Sequence, residues 1–232
     1  MNKKSIVFIS ILMLLEIVVY YVFGASWNLY LKLLPSIFLF FFYFQHVKGN
    51  LQLIDKFLLC ALVANILGEI AYVFKGNELV FLFILLFYLV EHQLYIIILR
   101  KQNGINQSLI NESFVKKGWP YLAISFLFFG LILMNNVPDI YFALIILYVV
   151  QFAVLGAISL QLRNQLPGKL FIIIGVAINA LSDGLTSWEM FVFPFTGDYV
   201  LIRITYVSAK YLIAYGIYQN RNLLVATVEE ED

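Results

Sequence analysis

The chain has one cysteine, two histidines and few charged residues, and each shortage excludes a class of site. A single cysteine, Cys60, excludes an internal disulfide, a thiolate metal cluster and a two-cysteine redox motif. Two histidines, His46 and His92, are too few for a three-histidine zinc site, and we expect no metal and no cofactor. The formal net charge of +1 gives no basic stripe, so no nucleic-acid partner is expected.

Apolar residues are abundant. They make up 62% of the 232 residues, whereas charged residues make up 12%. Soluble domains are roughly 45–50% apolar and about 25% charged. The mean hydropathy is +0.90, and a water-soluble domain of this size could not bury so much apolar surface. We therefore expect a lipid bilayer to surround the chain, in an integral protein of a bacterial inner (plasma) membrane.

Eight apolar segments predict the fold class. A spanning helix needs about 20 mostly apolar residues to cross about 30 Å of hydrocarbon. The connections are short apart from residues 100–118, so we predict one all-α domain over residues 1–232, a polytopic bundle of eight transmembrane helices. A terminal acidic run predicts a short disordered tail over residues 225–232. The predicted helices lie near residues 5–24, 28–45, 56–74, 78–99, 119–135, 139–160, 169–193 and 199–219.

The first segment and the basic residues predict the topology. The apolar run of residues 5–23 exceeds the core of a signal peptide, and the small residues after it match a cleavage site weakly, so we interpret it as a retained helix. With the N-terminus inside, only Lys75 is a basic loop residue outside. The positive-inside rule then places both termini in the cytoplasm. The basic residues inside would be Lys3, Lys4, Lys48, Lys56, Arg100, Lys101, Lys116, Lys117, Arg163, Lys169 and Arg221.

Charged residues inside the predicted spans mark a candidate site. A charge at the bilayer centre costs at least about 2.5–3.5 kcal/mol, so such groups usually face a bundle interior or a wet cavity. At 1.5 Å per residue, most of these charges lie between the midplane and the non-cytoplasmic face. One shared polar cavity would explain them. The bases are Lys32, Arg203 and Lys210, and the acids are Glu16, Glu69, Glu91, Asp183 and Glu189.

Four of the predicted helices carry a narrow polar stripe at depths that overlap. Residues four and then three positions apart share one helix face. We expect the third, fourth, seventh and eighth helices to line one pocket, with Lys32 of the second near its mouth. The stripes are Asn65, Glu69 and Tyr72; Tyr88, His92 and Tyr95, beside Glu91; Asn179, Asp183 and Thr186, beside Ser182; and Arg203, Tyr206 and Lys210.

Structural interpretations compete with functional ones for several of these residues. Glu16 could make only a structural hydrogen bond or ion pair, and Glu189 could lie at the membrane interface. Lys32 and Arg203 could extend to the headgroups, as long basic side chains do. The short side chains of Glu69 and Asp183 cannot extend far, so a functional role is the favoured interpretation for them.

These stretches, in order and depth, resemble the YhhN family of lysoplasmalogenase-like membrane proteins. Three departures stand out: the proline after the family's lysine is displaced to Pro35, the third-helix aspartate is Glu69, and the last motif ends in Lys210. The stretches are Tyr30-Leu31-Lys32-Leu33-Leu34-Pro35, Leu67-Gly68-Glu69, Glu91-His92-Gln93-Leu94-Tyr95, Leu181-Ser182-Asp183 and Thr205-Tyr206-Val207-Ser208-Ala209-Lys210.

The resemblance implies cleavage of the vinyl ether of a lysoplasmalogen, which gives a fatty aldehyde and a glycerophospho-base. Acid cleaves a vinyl ether through an oxocarbenium ion, so a protonated carboxyl and a second carboxylate would suffice. The implied catalytic residues are Glu69 and Asp183, with their roles left open, and His92 as a relay or support. The implied substrate-binding residues are Lys32, Asn65, Tyr95, Asn179, Ser182, Arg203, Tyr206 and Lys210.

Two other functions remain open at this level. A non-enzymatic carrier of lipid or a small solute could use the buried charges for binding or proton coupling. A hydrolase could instead cleave an ester or amide of another lipid. Serine catalysis has little support, because the chain has no Gly-x-Ser-x-Gly turn and Ser182 has only Asp183 beside it in sequence.

Overall fold

The computed structural model describes residues 3–24, 31–74, 77–103, 112–130 and 134–229. Eight α-helices and no strand occur among these residues, which confirms the predicted all-α class. Tyr30 of the first motif and Lys75 lie outside the described residues. The helices are α1 (Lys3–Phe23), α2 (Leu34–Val47), α3 (Leu53–Tyr72), α4 (Glu78–Gln102), α5 (Glu112–Phe128), α6 (Asp139–Gln161), α7 (Lys169–Phe191) and α8 (Asp198–Glu229).

Five of the helices are long and apolar enough to cross a membrane. They are α4, α6, α7, Ser5–Phe23 within α1 and Asp198–Arg221 within α8. The apolar helix α2 and Gly118–Phe128 within α5 are shorter. Helix α3 has 20 residues but carries Asp55, Lys56 and Glu69. This make-up is that of an integral membrane protein.

One helix begins elsewhere than the sequence predicts, and the predicted start of another, near residue 28, lies outside the described residues. Leu31 is helical, residues 32–33 form a turn, and α2 runs from Leu34 with Pro35 in its first turn. Proline is favoured there because its missing N–H would have no partner inside the helix. Helix α5 (Glu112–Phe128) begins earlier than the predicted residue 119, and Pro120 lies inside it; residues 131–133 of the predicted span 119–135 lie outside the described residues. The polar residues before Pro120 are helical, although the hydropathy pattern excludes them.

Helix α8 is longer than predicted. It continues to Glu229, so residues 225–229 of the expected disordered tail are helical, and residues 230–232 lie outside the described part. Contacts near the predicted end hold the helix to the bundle. The Asn220 side chain accepts a hydrogen bond from the Gly168 N–H at 2.7 Å, and Arg221 Nε lies 2.9 Å from Asp55 Oδ2.

Glycines bring α7 and α8 into the most extensive helix contact of the bundle. A Cβ at Gly216 would lie 2.6 Å from Ile172 Cγ1, and one at Gly175 would lie 2.8 Å from Ile213 Cγ1. Only a residue without a side chain permits this approach, as at other small-residue contacts between membrane helices. The polar stripes of α7 and α8 therefore lie close together.

We define the inner end of the bundle as the end where α3 and α7 begin and α4 and α8 end. Large apolar side chains fill this half, among them the fully buried Leu58, Leu99 and Ile172. The Tyr43 hydroxyl donates to Asp55 at 2.7 Å beside the Arg221 contact. The inner half is thus closely packed, and the polar stripes lie beyond it, toward the outer end.

Candidate active site

A cavity of about 300 Å³ lies in the outer half of the bundle. Its wall includes five of the residues that the sequence assigns to catalysis or substrate binding. Residues of α1, α3, α4, α7 and α8 contribute to the wall, together with Lys32. The lining residues are Tyr20, Lys32, Glu69, Tyr72, Val73, Tyr88, Asp183, Thr186, Glu189, Asp198, Tyr199, Ile202, Arg203 and Tyr206.

An arginine holds the first carboxyl of the cavity. Arg203 NH1 donates to Glu69 Oε1 at 3.0 Å, and Arg203 NH2 donates to the Lys32 carbonyl at 2.8 Å. Arg203 is 3% exposed and Glu69 is 1% exposed. The arginine is therefore an internal ion-pair partner and does not extend to the headgroups, as one interpretation of the sequence had it.

A second acid shares the same arginine. Glu16 of α1 is fully buried, and its Oε1 and Oε2 lie 2.6 Å from Arg203 Nε and 2.9 Å from Arg203 NH2. The Tyr199 hydroxyl also donates to Glu16. The ion pair that the sequence left as one interpretation of Glu16 is therefore present. Glu16 does not appear in the cavity wall, but it fixes the orientation of Arg203.

Neutral groups hold the second carboxyl of the cavity. The Tyr148 hydroxyl and Asn179 Nδ2 donate to Asp183 Oδ2 at 2.8 Å and 2.9 Å. His92 Nε2 lies 4.0 Å from the same oxygen. The Asp183 side chain is 23% exposed, so it is far more open to the cavity than Glu69.

His92 lies behind Asp183 and is not part of the cavity wall. Its Nε2 lies 3.2 Å from Asn179 Nδ2, and its ring packs against Tyr148 and Phe152 at centroid distances of 4.7 Å and 5.0 Å. It is completely buried. His92 is therefore linked to Asp183 mainly by the side chain of Asn179, which contacts both residues.

A third carboxyl, Glu91, occupies a separate cluster deeper in the bundle. Lys210 Nζ lies 2.8 Å from Glu91 Oε1, and the Tyr95 hydroxyl donates to the same oxygen at 2.9 Å. Asn65 Nδ2 contacts Glu91 Oε2 at 3.2 Å and also the Tyr206 hydroxyl. The sequence assigns Asn65, Tyr95 and Lys210 to substrate binding. In the structure they contact Glu91 behind the cavity wall.

The remaining predicted binding residues differ in position. Lys32 lines the cavity, with its Nζ 3.9 Å from the centre of the Tyr72 ring. Ser182 is fully buried, and its hydroxyl donates to the Ile202 carbonyl at 3.4 Å. Glu189, expected at the interface, lines the cavity near the outer end of α7. A serine nucleophile in the cavity therefore has no support from this geometry.

Sequence reasoning missed two tyrosines of the site. Tyr148 donates to Asp183 from α6, a helix in which no polar stripe drew attention to it. Tyr199 lines the cavity, and so does Tyr88, which belongs to the stripe predicted for the fourth helix. A Cβ at Gly68 would lie 2.9 Å from the Tyr88 ring. The glycine beside Glu69 thus makes room for an aromatic wall.

Metal chemistry has no ready ligand set in the part of the chain that the structure describes. Within that part, no three His, Cys, Asp or Glu side chains are grouped to hold a metal ion. The site is instead a set of carboxyls, each with its own kind of partner.

A known protein family matches most of the chain. The family model for the YhhN family matches residues 27–217. The matched range contains Glu69, Asp183 and Arg203, and it leaves out α1 with Glu16. No curated protein and no solved structure matches the chain.

Proposed function

The chain belongs to the YhhN family, and we propose from this premise that it is a membrane-embedded hydrolase of the vinyl-ether bond in a lysoplasmalogen or a related lysolipid. Its products would be a fatty aldehyde and a glycerophospho-base. The apolar helical bundle fits a lipid substrate. The observation that carries the proposal is that Glu69 and Asp183, two carboxyls with different partners, line one cavity.

The chemistry of a vinyl ether requires an acid first. A proton adds to the β-carbon of the alkene, and the resulting oxocarbenium ion is captured by water as a hemiacetal. The hemiacetal then collapses to the aldehyde and the free glycerol hydroxyl. Glycosidases pass through a similar cation with two carboxyls in different environments, one a proton donor and the other ionised.

The partners of the two carboxyls favour a division of roles. The guanidinium of Arg203 stabilises Glu69 as a carboxylate, so Glu69 is suited to steady the cation and to accept a proton from water. Asp183 is contacted by a tyrosine hydroxyl and an amide, which tolerate a protonated carboxyl in a low-dielectric site. We assign Asp183 as the proton donor and Glu69 as the base.

These roles return both groups to their starting states. Asp183 gives its proton to the β-carbon, and Glu69 takes a proton from the attacking water. During collapse, Asp183 takes the hemiacetal hydroxyl proton, while Glu69 gives its proton to the departing glycerol oxygen. The net reaction consumes one water and needs no other reactant. His92 acts through Asn179, which holds the orientation of the Asp183 carboxyl.

Lys32 lines the cavity, and we assign it to the substrate phosphate. Arg203, which the sequence also assigns to substrate binding, contacts two carboxylates and a carbonyl and belongs to the charged network around Glu69. Lys32 lies against Tyr72, whose ring also faces the cavity. In this arrangement the headgroup lies toward Lys32 and the alkenyl chain lies along apolar wall residues such as Val73 and Ile202.

The proposal also takes all eight helices as membrane spans with both termini cytoplasmic, in a bacterial inner membrane. The asymmetry of basic loop residues supports this topology. The cavity then lies nearer the outer leaflet. Reporter fusions at residues 50 and 165 should report the cytoplasmic side, and one at residue 196 should report the opposite side.

Aldehyde release from a lysoplasmalogen by the purified protein tests the proposed activity. We expect release by the wild type, a large loss in Asp183→Asn and Glu69→Gln, and no release of fatty acid from the matched ester lysolipid. Undiminished release in both variants contradicts the assignment of the two carboxyls. Uptake driven by a proton gradient without any covalent product would instead indicate a carrier.

A further inference from the structure

The guanidinium of Arg203 is divided unequally between two acids. Glu16 lies along the edge formed by Nε and NH2: NH2 donates to Oε2 at 2.9 Å, and Nε lies 2.6 Å from Oε1 in an ion-pair contact that does not have hydrogen-bond geometry. Glu69 receives only NH1, at 3.0 Å. Arginine often holds a carboxylate through two parallel N–H groups, whereas here Arg203 gives each acid one hydrogen bond and Glu16 lies along its Nε edge.

As a result, one carboxylate oxygen of Glu69 accepts a hydrogen bond from the described residues and the other does not. Oε1 accepts from Arg203, whereas Oε2 is buried and has no hydrogen-bond partner among the described residues. Leaving a buried carboxylate oxygen without a partner costs free energy, so such atoms call for an explanation. Glu69 is one of the residues of the cavity wall, so water or substrate in the cavity would lie beside this carboxyl.

We propose that Glu16 is a positioning residue that keeps Glu69 Oε2 open by occupying the Nε edge of Arg203. Without the charge of Glu16, the guanidinium can turn and grip Glu69 through both oxygens. The oxygen that accepts the proton of water would then be engaged. This inference rests on the proposed function, because it explains how Glu69 is kept ready for its role as the base.

The position of Glu16 supports a role beyond anchoring its helix. Helix α1 exposes most of its large apolar residues, yet Glu16 near its middle is fully buried. The hydroxyl of Tyr199 reinforces the acid, and the Tyr199 ring stacks on Tyr20 at 3.8 Å between centroids. The family match begins at residue 27, so the matched residues include Glu69 and Arg203 but not Glu16. The chain thus supplies this control from a helix outside the matched region.

Kinetics of three variants test the positioning role. Glu16→Gln should lower kcat for aldehyde release by about tenfold to a hundredfold with KM changed less than about twofold. Glu16→Asp keeps the charge and should recover part of the loss. The matched control, Ile9→Ala, removes a buried side chain of α1 and should destabilise the protein while leaving kcat within about twofold.

The double variant separates positioning from a general defect. Because Glu16 acts through Glu69, Glu16→Gln should cause no further loss of kcat in a Glu69→Gln background. A kcat within twofold of wild type in Glu16→Gln overturns the proposal. An equal loss of kcat in Ile9→Ala also overturns it, since a structural role of α1 would then explain both.

Unfolding measurements test the shared arginine without any substrate. Each of Glu16→Gln and Glu69→Gln leaves Arg203 one acid, whereas the double variant leaves it none. We expect the double variant to lower the unfolding temperature by more than the sum of the single shifts. If the wild type releases no aldehyde, the proposed function fails, and the unfolding temperatures of these variants alone then test whether Glu16 and Glu69 share Arg203. Additive shifts would then overturn the sharing of Arg203, and larger shifts would retain it.

Discussion

Glu69 and Asp183 line the same cavity, yet the structure surrounds them with different partners. Glu69 contacts a guanidinium that a second acid also holds, on the side formed by α1, α3 and α8. Asp183 contacts a phenol and an amide, on the side formed by α6 and α7. The same functional group is thus placed in a charged network on one side and a neutral network on the other. In the proposed mechanism, the contact partners of each carboxyl therefore decide which one acts as the acid and which one acts as the base.

Removing the cation of the charged network should have the largest effect. Arg203→Met leaves Glu16 and Glu69 buried without a counter-ion, and we expect a loss of about 3–5 kcal/mol in the free energy of unfolding. Aldehyde release should also be lost. Denaturant unfolding in detergent measures the first effect and an aldehyde assay measures the second.

Arg221→Met is the matched control for that variant. It breaks another arginine–carboxylate pair, with Asp55 at the inner end, where Arg221 is partly exposed. We expect a smaller loss of stability and retained aldehyde release. If Arg203→Met and Arg221→Met behaved alike in both assays, the charged network would have no special link to the cavity.

Removing the proton donor should abolish most of the activity while the fold survives. Asp183→Asn keeps the size of the side chain but cannot deliver a proton, so we expect kcat to fall by about 10²–10⁴-fold. Helix content and unfolding temperature should stay close to those of the wild type. Asp139→Asn, at the exposed start of α6, is the matched control and should keep full activity.

Two tyrosine variants compare the networks with the smallest changes. Tyr148→Phe removes a hydroxyl from Asp183, and Tyr199→Phe removes one from Glu16. We expect Tyr148→Phe to lower kcat by about tenfold, since it frees the reacting carboxyl to rotate. We expect Tyr199→Phe to lower kcat by about twofold, because its effect reaches Glu69 only through Glu16 and Arg203. A larger loss of kcat in Tyr199→Phe than in Tyr148→Phe would show that the charged network controls the rate.

Much of the fold follows from the sequence because hydropathy reports on helices directly. Runs of apolar residues mark the eight helices, and a stripe such as Asn179 and Asp183 marks an inward face. The sequence prediction starts α5 too late, because it leaves out the helical polar residues before Pro120. Proline can begin a helix or lie inside one, and hydropathy alone does not distinguish these cases.

The pairing within the site was harder to predict than its members. The stripes identify Arg203 and Glu69, but the sharing of Arg203 with Glu16 joins residues 187 positions apart, which no local pattern records. Tyr148 could not be singled out, because its helix is apolar on every side and tyrosine is common there. Helix packing decides which donor meets which acid, and the sequence of one chain does not state that packing.

The most direct test of the central claim is the protonation of the two carboxyls in the resting protein. A lipid-soluble carbodiimide adds to protonated carboxyls within a membrane, and mass spectrometry of peptides locates the adduct. We predict an adduct on Asp183 and none on Glu69 at neutral pH, with no adduct in Asp183→Asn. An adduct on Glu69 in place of Asp183 would contradict the account.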